Sequence, residues 1–306
     1  MNDCVKVVEE AYRAFGQNAA VMTRRVDLAV DAIRSIKIGG ASINSLHYMG
    51  SFSYSAGFGK KGTNPSTTLL YDSETGQLKA FIESLHLKWF RTGATAAVAA
   101  KNLSNHKKSQ TIGIFGTGRQ ARTQLMGLQC VYNISEVRAY SPTSQHREQF
   151  AQQTREDLGL NVVPVASPEK CAEDVDVIVT CSTSKNPVFE SSWLSKGTHI
   201  NVIGAHTRTS REIDTETMKL SKVVVESREQ ALYENGNLLI PINEGAFGVD
   251  KIIADLGEIV AGKVKCRTDE NDNTVFLSGG VALDQIAIAA HVYETALKKN
   301  VGIELG

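Results

Sequence analysis

The stretch from Gln110 to Leu125, QTIGIFGTGRQARTQL, constrains the fold of this chain more than any other segment. A short apolar run ends at a glycine turn that begins with Gly116, and a helical pattern starts at Arg119. A buried strand that enters a helix through such a turn is the first unit of a doubly wound α/β sheet. The pattern therefore predicts a dinucleotide-binding site at this turn.

The same alternation of strands and helices continues beyond the turn. Short runs rich in β-branched residues recur at 111–115, 136–140, 161–165, 175–181, 198–204 and 222–226. Runs that are apolar on both sides suit strands buried in a parallel sheet. Residues 119–133 and 144–159 show the clearest patterns of crossover helices. We therefore predict an α/β fold of the Rossmann type with a doubly wound parallel sheet.

The two ends of the chain have a different pattern. A helix is predicted over residues 3–16, and residues 67–84 resemble a hairpin with a D-S-E-T-G turn. Residues 279–300 form a long amphipathic helix pattern that can fold back on the first part of the chain. We predict a discontinuous α+β domain of residues 1–102 and 284–306, with the dinucleotide-binding domain of residues 103–283 inserted in it.

Composition limits which binding partners and which cellular compartment are expected. Lys plus Arg equals Asp plus Glu at 33 each, so no charge excess points to nucleic acid. No apolar run approaches the roughly 18 residues of a membrane span, and the acidic N-terminal segment does not resemble a signal peptide. Five scattered cysteines show neither metal spacing nor a disulfide framework. We expect a cytoplasmic protein without a metal.

The glycine turn reads G-x-G-x-x-A. Gly116 permits the tight turn, Gly118 lets the backbone approach a pyrophosphate, and Ala121 keeps the helix close to the strand. The free N–H groups at the start of the helix favour the phosphates. We predict cofactor contacts from Gly116, Thr117, Gly118, Arg119, Gln120 and Ala121.

The end of the second strand indicates which dinucleotide binds. NAD-binding proteins usually place Asp or Glu there for the ribose 2′-hydroxyl. This chain instead has Ser141 and Thr143, with Arg147 close behind. Hydroxyls and a guanidinium suit a 2′-phosphate, so we predict NADP, with NAD as the alternative.

The chain resembles the ornithine cyclodeaminase/mu-crystallin family over nearly its whole length. LKWFRTGATAAVAAKNL followed by IGIFGTGRQARTQL is similar to the L-x-x-x-R-T and G-x-G-x-Q-A arrangement of that family. LLYDSETGQLKAFIES, VVVESREQALYE, DLGEIVAGK and FLSGGVALDQIA resemble later landmarks in the same order. The resemblance implies a Rossmann domain inserted in a substrate-binding domain that also forms a homodimer. It also implies chemistry on an imine beside a carboxylate.

The resemblance assigns candidate cations for the substrate carboxylate. Arg91 matches the carboxylate-binding arginine, and its planar fork suits two carboxylate oxygens. Arg25 matches a second substrate-facing arginine, with Arg24 as the alternative. Lys61 matches the lysine of a G-x-K strand, as a substrate-binding and proton-transferring group, with Lys60 as the alternative.

One position departs from the cyclodeaminase pattern. His206 stands where cyclodeaminases carry an aspartate that is expected to act during ammonia loss. An imidazole does not replace a carboxylate, but it can donate a proton to an imine, so His206 is a catalytic candidate. Asp214 is interpreted as a helix cap. Fold and resemblance together predict further cofactor contacts from Thr92, Ser182, Thr183, Ser278, Gly279 and Gly280.

These features favour an NAD(P)H-dependent oxidoreductase that acts on a small amino, imino or keto acid. The first hypothesis is reduction of a cyclic ketimine such as pyrroline-2-carboxylate, and its close variant is reductive amination of a keto acid, as in alanine dehydrogenases. The second class is an NAD-dependent ornithine cyclodeaminase. A third is a binder that retains the cofactor site without catalysis.

Overall fold

The computed structural model of the chain describes residues 1–31, 34–58, 64–105, 107–205 and 207–304. The helices in these residues are α1 Asn2–Gly16, α2 Leu87–Leu103, α3 Arg119–Leu128, α4 Ser144–Leu158, α5 Pro168–Ala172, α6 Thr215–Leu220, α7 Arg228–Glu234, α8 Gly236–Asn243, α9 Leu256–Val260 and α10 Ala282–Lys299. The strands form two sheets. The first contains β1 Ala20–Met22, β2 Val26–Ala29, β3 Ser35–Ile43, β4 Tyr48–Ala56, β5 Ser66–Asp72 and β6 Leu78–Glu83. The second contains β7 Gln110–Phe115, β8 Ile134–Tyr140, β9 Val162–Pro164, β10 Val177–Thr180, β11 His199–Val202, β12 Ser221–Val225, β13 Ile252–Asp255 and β14 Asn273–Leu277.

The second sheet confirms the predicted doubly wound fold. Its eight strands run in the order β13-β12-β14-β11-β10-β7-β8-β9, and every pair is parallel. The six predicted runs correspond to β7 through β12, while β13 and β14 were not predicted. All four residues of both β10 and β11 are buried, as expected for strands covered on both faces.

The first helix of this sheet packs very closely on the preceding helix. A Cβ at Gly93 in α2 would lie 2.2 Å from the carbonyl oxygen of Thr123 in α3. A Cβ at Gly127 in α3 would in turn lie 2.2 Å from the carbonyl oxygen of Gly93. Gly93 therefore serves helix packing, and this contact holds the first half of α2 against the second half of α3.

The first sheet is antiparallel, with the order β1-β3-β4-β5-β6 and with β2 paired to β3. The predicted hairpin is confirmed as β5 and β6. The long C-terminal helix, α10, folds back on this sheet as predicted. Gln285 donates to Thr68 Oγ1 over 3.1 Å, and a Cβ at Gly50 would lie 2.8 Å from Ile286 Cδ1.

The face of the first sheet that points away from α10 is apolar and exposed. Leu28 is 58% exposed and Phe81 is 61% exposed. The strand registers align two further rows on this face, Val21 with Ser42, Met49 and Tyr71, and Gly40 with Ser51 and Leu69. We call these residues, with Leu28 and Phe81, the outer face.

Along the chain, the strands of the first sheet precede α2 and those of the second sheet follow it, and α10 returns the chain from the second sheet to the first. The predicted domain limits at residues 102, 103, 283 and 284 remain a prediction. Among the described residues, none of the helices combines the length and the apolar character that crossing a bilayer requires.

Candidate active site

The glycine turn lies at the carboxyl edge of the parallel sheet, between β7 and α3. Gly116 has φ +103°, and a Cβ there would lie 2.7 Å from the carbonyl oxygen of Cys181, so only glycine fits. A Cβ at Gly118, in contrast, would meet nothing within 4 Å. The buried Ala121 then holds α3 against the sheet. Open space beside Gly118 and the start of α3 is what a pyrophosphate requires, so these residues fit a dinucleotide.

The end of β8 lies beside this turn. The N–H of Gly116 donates to the carbonyl oxygen of Tyr140 over 3.0 Å. Arg147 Nη1 donates to the carbonyl oxygen of Ser141 over 3.0 Å, which holds its guanidinium at the end of the strand. Thr143 is exposed immediately before α4, and its side chain makes no cap hydrogen bond. The predicted hydroxyl and guanidinium groups are thus together at one end of one strand.

Ser182, another predicted cofactor contact, is held by the buried carboxylate of Glu212. Both the N–H and the hydroxyl of Ser182 donate to Glu212 Oε1, each over 2.6 Å. The N–H of Gly204 donates to the second oxygen of Glu212 over 2.7 Å. Burial raises the pKa of Glu212, although these hydrogen bonds partly oppose the rise. Glu212 therefore ties together the ends of β10 and β11, while Thr183 is exposed.

The turn after β14 is held in the same way by Glu226, which directly follows β12. The N–H groups of Gly279 and Gly280 donate to Glu226 Oε2 over 2.6 and 2.7 Å, and the Ser278 hydroxyl donates to it over 3.1 Å. Tyr12 of α1 donates to the other oxygen over 2.7 Å. The predicted cofactor contacts of Ser278, Gly279 and Gly280 remain a prediction, and in this structure the N–H groups of the two glycines donate to Glu226.

Arg91 lies on the first turns of α2 and is buried at this turn. Its Nη1 donates to Asp284 Oδ2 in α10 over 3.1 Å, and Thr95 donates to the same oxygen over 3.0 Å. A Cβ at Gly280, which has φ +71°, would lie 2.7 Å from Arg91 Nη2. The backbone of Gly280 thus lies directly against the guanidinium. The predicted cofactor contact Thr92 donates its hydroxyl to the carbonyl oxygen of Lys88.

Arg91, Asp284 and Glu226 are coupled electrostatically. Burial disfavours the charge on Arg91, but Asp284 and Glu226 outweigh it and raise the pKa of Arg91. Burial, reinforced by the charge of Glu226, raises the pKa of Asp284 to about 7 despite the attraction of Arg91. Burial also disfavours the charge on Glu226, but Arg91 and four hydrogen-bond donors outweigh it and lower the pKa of Glu226. The pKa values of these two carboxylates, which are both attracted to Arg91, are thus shifted in opposite directions.

Arg25 reaches the same turn from the other side. Its Nη1 donates to the carbonyl oxygen of Gly280 over 2.8 Å, and its Nη2 pairs with the buried Glu234. Gln230 fixes this arrangement, because it donates to Glu234 and accepts from the N–H of Arg25. Arg24 instead lies 3.9 Å from the ring centre of Tyr233. Of the two neighbouring arginines, Arg25 is therefore the one that lies beside Arg91.

Lys88, which was not predicted, joins this cluster. Its Nζ lies 5.3 Å from the ring centre of Tyr54 in β4, and the guanidinium carbon of Arg25 lies 5.9 Å from the same ring. Burial and the positive charges of Arg91 and Arg119 lower the pKa of Lys88, against a weaker opposing effect of Glu83.

Three predicted residues, Lys60, Lys61 and His206, lie outside the described residues. Asp214 caps α6 as predicted, since its side chain accepts from the N–H of Thr217 over 2.6 Å. Arg119 places its guanidinium 5.0 Å from the ring centre of Trp89, which joins the starts of α3 and α2.

Sequence reasoning missed the carboxylates that hold the predicted groups. Glu226 carried a signal, because an acid directly after an apolar strand lies at the carboxyl edge of a parallel sheet. Asp284 carried another, because it interrupts the apolar pattern VALDQIAIAA. Glu212 and Glu234 lie in polar segments where no local pattern distinguishes them.

Comparison with known proteins bears on this arrangement. The sequence model of the ornithine cyclodeaminase/mu-crystallin family matches residues 1–300. Alanine dehydrogenase of Archaeoglobus fulgidus is 34% identical over 311 residues, which cover 100% of this chain and 94% of that protein. Delta(1)-pyrroline-2-carboxylate reductase of Bacillus cereus is 37% identical over 245 residues, covering 80% of this chain and 74% of that protein.

Solved structures agree with the sequence comparison. Thermococcus litoralis Delta(1)-pyrroline-2-carboxylate reductase, in complex with NADH and L-proline, superimposes with a TM-score of 0.93 at 32% identity. The match covers 99% of this chain and 95% of that one. An archaeal alanine dehydrogenase dimer with bound NAD gives a TM-score of 0.92 at 32% identity, covering 100% and 95%.

Proposed function

This chain belongs to the ornithine cyclodeaminase/mu-crystallin family, and we propose that it is an NAD(P)H-dependent oxidoreductase that reduces a small α-imino acid. The substrate class is a cyclic ketimine such as pyrroline-2-carboxylate, which becomes the cyclic amino acid. One observation carries this proposal: two buried guanidinium groups, Arg91 and Arg25, lie against Gly280 at the sheet edge where the glycine turn also lies. The arrangement suits an anionic substrate beside a nicotinamide.

The relatives support this substrate class without deciding within it. Two of the compared proteins are pyrroline-2-carboxylate reductases and two are alanine dehydrogenases. Reductive amination of a keto acid is therefore the close variant of the proposal. The two differ in one requirement, because reductive amination consumes free ammonia and reduction of a cyclic imine does not.

Each part of the site has a proposed role. Arg91 and Arg25 bind the substrate carboxylate, since a guanidinium offers paired donors in one plane. By resemblance to the family, Lys61 and His206 are candidates for handling the proton at the substrate nitrogen. The dinucleotide is held by the glycine turn, by Thr92, and by Ser141, Thr143, Ser182, Thr183, Ser278, Gly279 and Gly280. The reduced nicotinamide supplies a hydride when bound.

An ornithine cyclodeaminase is the second candidate function. It is favoured by the family alone, and the histidine at position 206 argues against it, because a neutral imidazole cannot pair with a substrate ammonium as a carboxylate does. The His206→Asp variant tests this interpretation. If the wild type already converts ornithine efficiently and the variant does not, the assignment of this position is wrong.

We propose that NADPH is preferred over NADH. Arg147, Ser141 and Thr143 lie together at the end of β8, and residues 140–147 include no Asp or Glu that would repel a 2′-phosphate. The solved relatives are complexes with NADH or NAD, so the test is a direct comparison. Dissociation constants for the two reduced cofactors, titrated by fluorescence, decide it; equal or tighter binding of NADH contradicts the preference.

We also propose a homodimer formed through the outer face, and a cytoplasmic location. The exposed apolar rows on that face favour association with a second copy, and one solved relative is itself a dimer. All five cysteines are unpaired, as is usual in a reducing compartment.

The activity test supplies NADPH or NADH with cyclic imines, and with keto acids in the presence and absence of ammonia. Oxidation of the cofactor by a cyclic imine without ammonia is the expected result. Oxidation only with a keto acid and ammonia would select the alanine-dehydrogenase variant. Ammonia release from ornithine with NAD, and no oxidation in any other assay, would show a cyclodeaminase instead.

A further inference from the structure

The cations of the site differ in how fully their charge is compensated. Arg91 pairs with Asp284, and Arg25 pairs with Glu234. Lys37, which also approaches Glu234, pairs with Asp27. Among the residues that the structure describes, no carboxylate lies within ion-pair distance of Lys88 Nζ, whose recorded partner is the ring of Tyr54. Glu83 attracts Lys88 from beyond ion-pair distance, so within the described residues Lys88 is the least directly compensated of these cations.

The position of Lys88 directs that charge toward the substrate. Lys88 precedes Arg91 by three residues in α2, so the two side chains lie on neighbouring parts of one helix face. The ring of Tyr54 lies near both Lys88 and Arg25. A substrate whose carboxylate binds Arg91 and Arg25 would thus place its adjacent imine within the same cluster. The half-buried Lys88 supplies an ammonium to this cluster and, unlike Lys37, pairs with no carboxylate among the described residues.

We propose that Lys88 contacts the substrate and donates the proton to its imine nitrogen; this inference rests on the proposed imine reduction. One N–H bond of the ammonium breaks, and the proton forms a new bond to the substrate nitrogen. The two π electrons of the C=N bond move to that nitrogen as the carbon accepts a hydride from the reduced dinucleotide. Lys88 is left as a neutral amine and regains its proton from water.

The charges around Lys88 suit this role. Arg91 on its own helix and Arg119 at the start of α3 repel its positive charge, while Glu83 of β6 attracts it and Tyr54 of β4 presents its ring. Burial and the two guanidinium groups lower the pKa of Lys88 below its ordinary value, so its proton leaves more readily than that of a solvated lysine. The ammonium remains the donor form until the pH rises through this lowered pKa.

The experiment compares Lys88→Met with Lys101→Met. Lys101 lies near the other end of the same helix, far from the site, and pairs there with Glu9 of α1. With pyrroline-2-carboxylate as substrate, Lys88→Met is expected to lower kcat by about 10²–10⁴-fold, the usual loss of a general acid, with a smaller change in KM. Lys101→Met is expected to keep both constants. Melting temperature and cofactor affinity establish that each variant is folded, and Lys88→Gln replaces Lys88→Met if it is not.

The pH profile distinguishes proton donation from simple charge. Wild-type kcat is expected to fall as the pH rises through the lowered pKa of Lys88, and this alkaline limb should be absent in Lys88→Met. Lys88→Arg keeps the charge but holds its proton, so it should bind substrate and remain slow at every pH. A fully active Lys88→Arg, or a Lys88→Met that changes KM alone, overturns the proposal.

A parallel Lys61→Met variant separates the two lysines. If Lys61→Met loses the alkaline limb while Lys88→Met retains it, Lys61 is the donor and the proposal for Lys88 is wrong. If the wild type reduces no cyclic imine at all, the proposed function fails first, and the inference fails with it. That result differs from an active wild type with an active Lys88→Met, which would contradict the inference alone.

Discussion

The two sheets bury their apolar surface in different ways. In the parallel sheet, every residue of β10 and β11 is buried, because helices cover both faces. In the antiparallel sheet, α10 covers one face, and the outer face leaves Leu28 and Phe81 more than half exposed. The parallel sheet is thus complete within one chain, whereas the antiparallel sheet exposes a surface that suits a second copy.

The two sheets also contribute different parts of the site. The carboxyl edge of the parallel sheet carries the glycine turn, and the antiparallel sheet contributes Tyr54. Arg91 lies on α2, which joins the two sheets along the chain. It pairs with Asp284 on α10, the helix that packs on the antiparallel sheet. Substrate binding and cofactor binding are therefore expected to respond to different substitutions.

The largest effect is expected at Arg91. Arg91→Lys keeps a charge beside Asp284 but loses the planar fork, so kcat/KM for the imino acid should fall by about 10²–10³-fold. Affinity for the reduced cofactor should fall much less, because the glycine turn is untouched and only the contact of Arg91 with Gly280 changes. Steady-state kinetics and a cofactor titration measure the two effects; an equal loss in both would show that the two functions are not separate.

Gly118 supplies the reciprocal test. Gly118→Val places its side chain in open space, so the melting temperature should hold, while the space that a pyrophosphate needs is filled. We expect cofactor affinity to fall by about 10²-fold, and Gly118→Ala to show a smaller loss. Calorimetric titration measures both variants. Unchanged affinity in Gly118→Val would place the cofactor elsewhere.

A substitution on the outer face tests whether the antiparallel sheet forms the proposed dimer surface. Phe81→Glu puts a charge on the proposed dimer surface, which should raise the dimer dissociation constant by about 30-fold or more, as at an interface hot spot. Ile303→Glu, a change at a 90% exposed position near the C-terminus, is the matched control. Sedimentation velocity over a range of concentrations measures both. A monomeric wild type, or a Phe81→Glu variant that dimerises equally well, would contradict the proposed interface.

The raised pKa of Asp284 should make the free energy of unfolding depend on pH. Burial raises its pKa to about 7, above the roughly 3.9 of an unfolded chain, so the folded state binds this proton more tightly. Its stabilising contribution is present below about pH 4 and is lost as the pH rises through about 7. The free energy of unfolding of the wild type relative to Asp284→Asn should therefore fall with rising pH, by at most about 1.4 kcal/mol per pH unit. Urea unfolding at several pH values measures this difference, and a flat difference would contradict the raised pKa.

Arg147 is expected to give the smallest effect. If Arg147 binds the 2′-phosphate as proposed, Arg147→Ala removes that charge-assisted contact, so NADPH affinity should fall by about tenfold while NADH affinity holds. The exposed Lys170→Ala change is the control for general loss of positive charge. Equal losses for the two cofactors would mean that Arg147 does not contact the 2′-phosphate.

The parallel sheet was predictable because burial on both faces leaves a local mark. The runs behind β7 to β12 stand out as short, apolar and β-branched. The central strand β14 was missed, because its run NTVFL is short and follows the polar segment TDEND. The segments of β3 and β4 were not predicted as strands either. They carry several glycine and serine residues, and one of their faces is exposed, so their periodicity is weak.

The site was predictable only in part, for a related reason. Arg91 and the glycine turn belong to local motifs, whereas the partner of Arg91, Asp284, lies 193 residues away. Lys88 is an ordinary lysine in sequence, and only its position beside Tyr54 and Arg91 makes it a candidate. The sequence can mark Asp284 as an unusual acid in an apolar helix, but its pairing with Arg91 is made by the tertiary fold and required the structure.

The central claim is that this chain transfers a hydride to the imine carbon of a cyclic imino acid. The most direct measurement supplies pyrroline-2-carboxylate with reduced cofactor that carries deuterium at the transferable position, and analyses the product by mass spectrometry. We predict one deuterium at the α-carbon of proline, one cofactor oxidised per product, and no need for ammonia. Pyrroline-2-carboxylate recovered unreduced, or proline without deuterium at the α-carbon, would contradict the account.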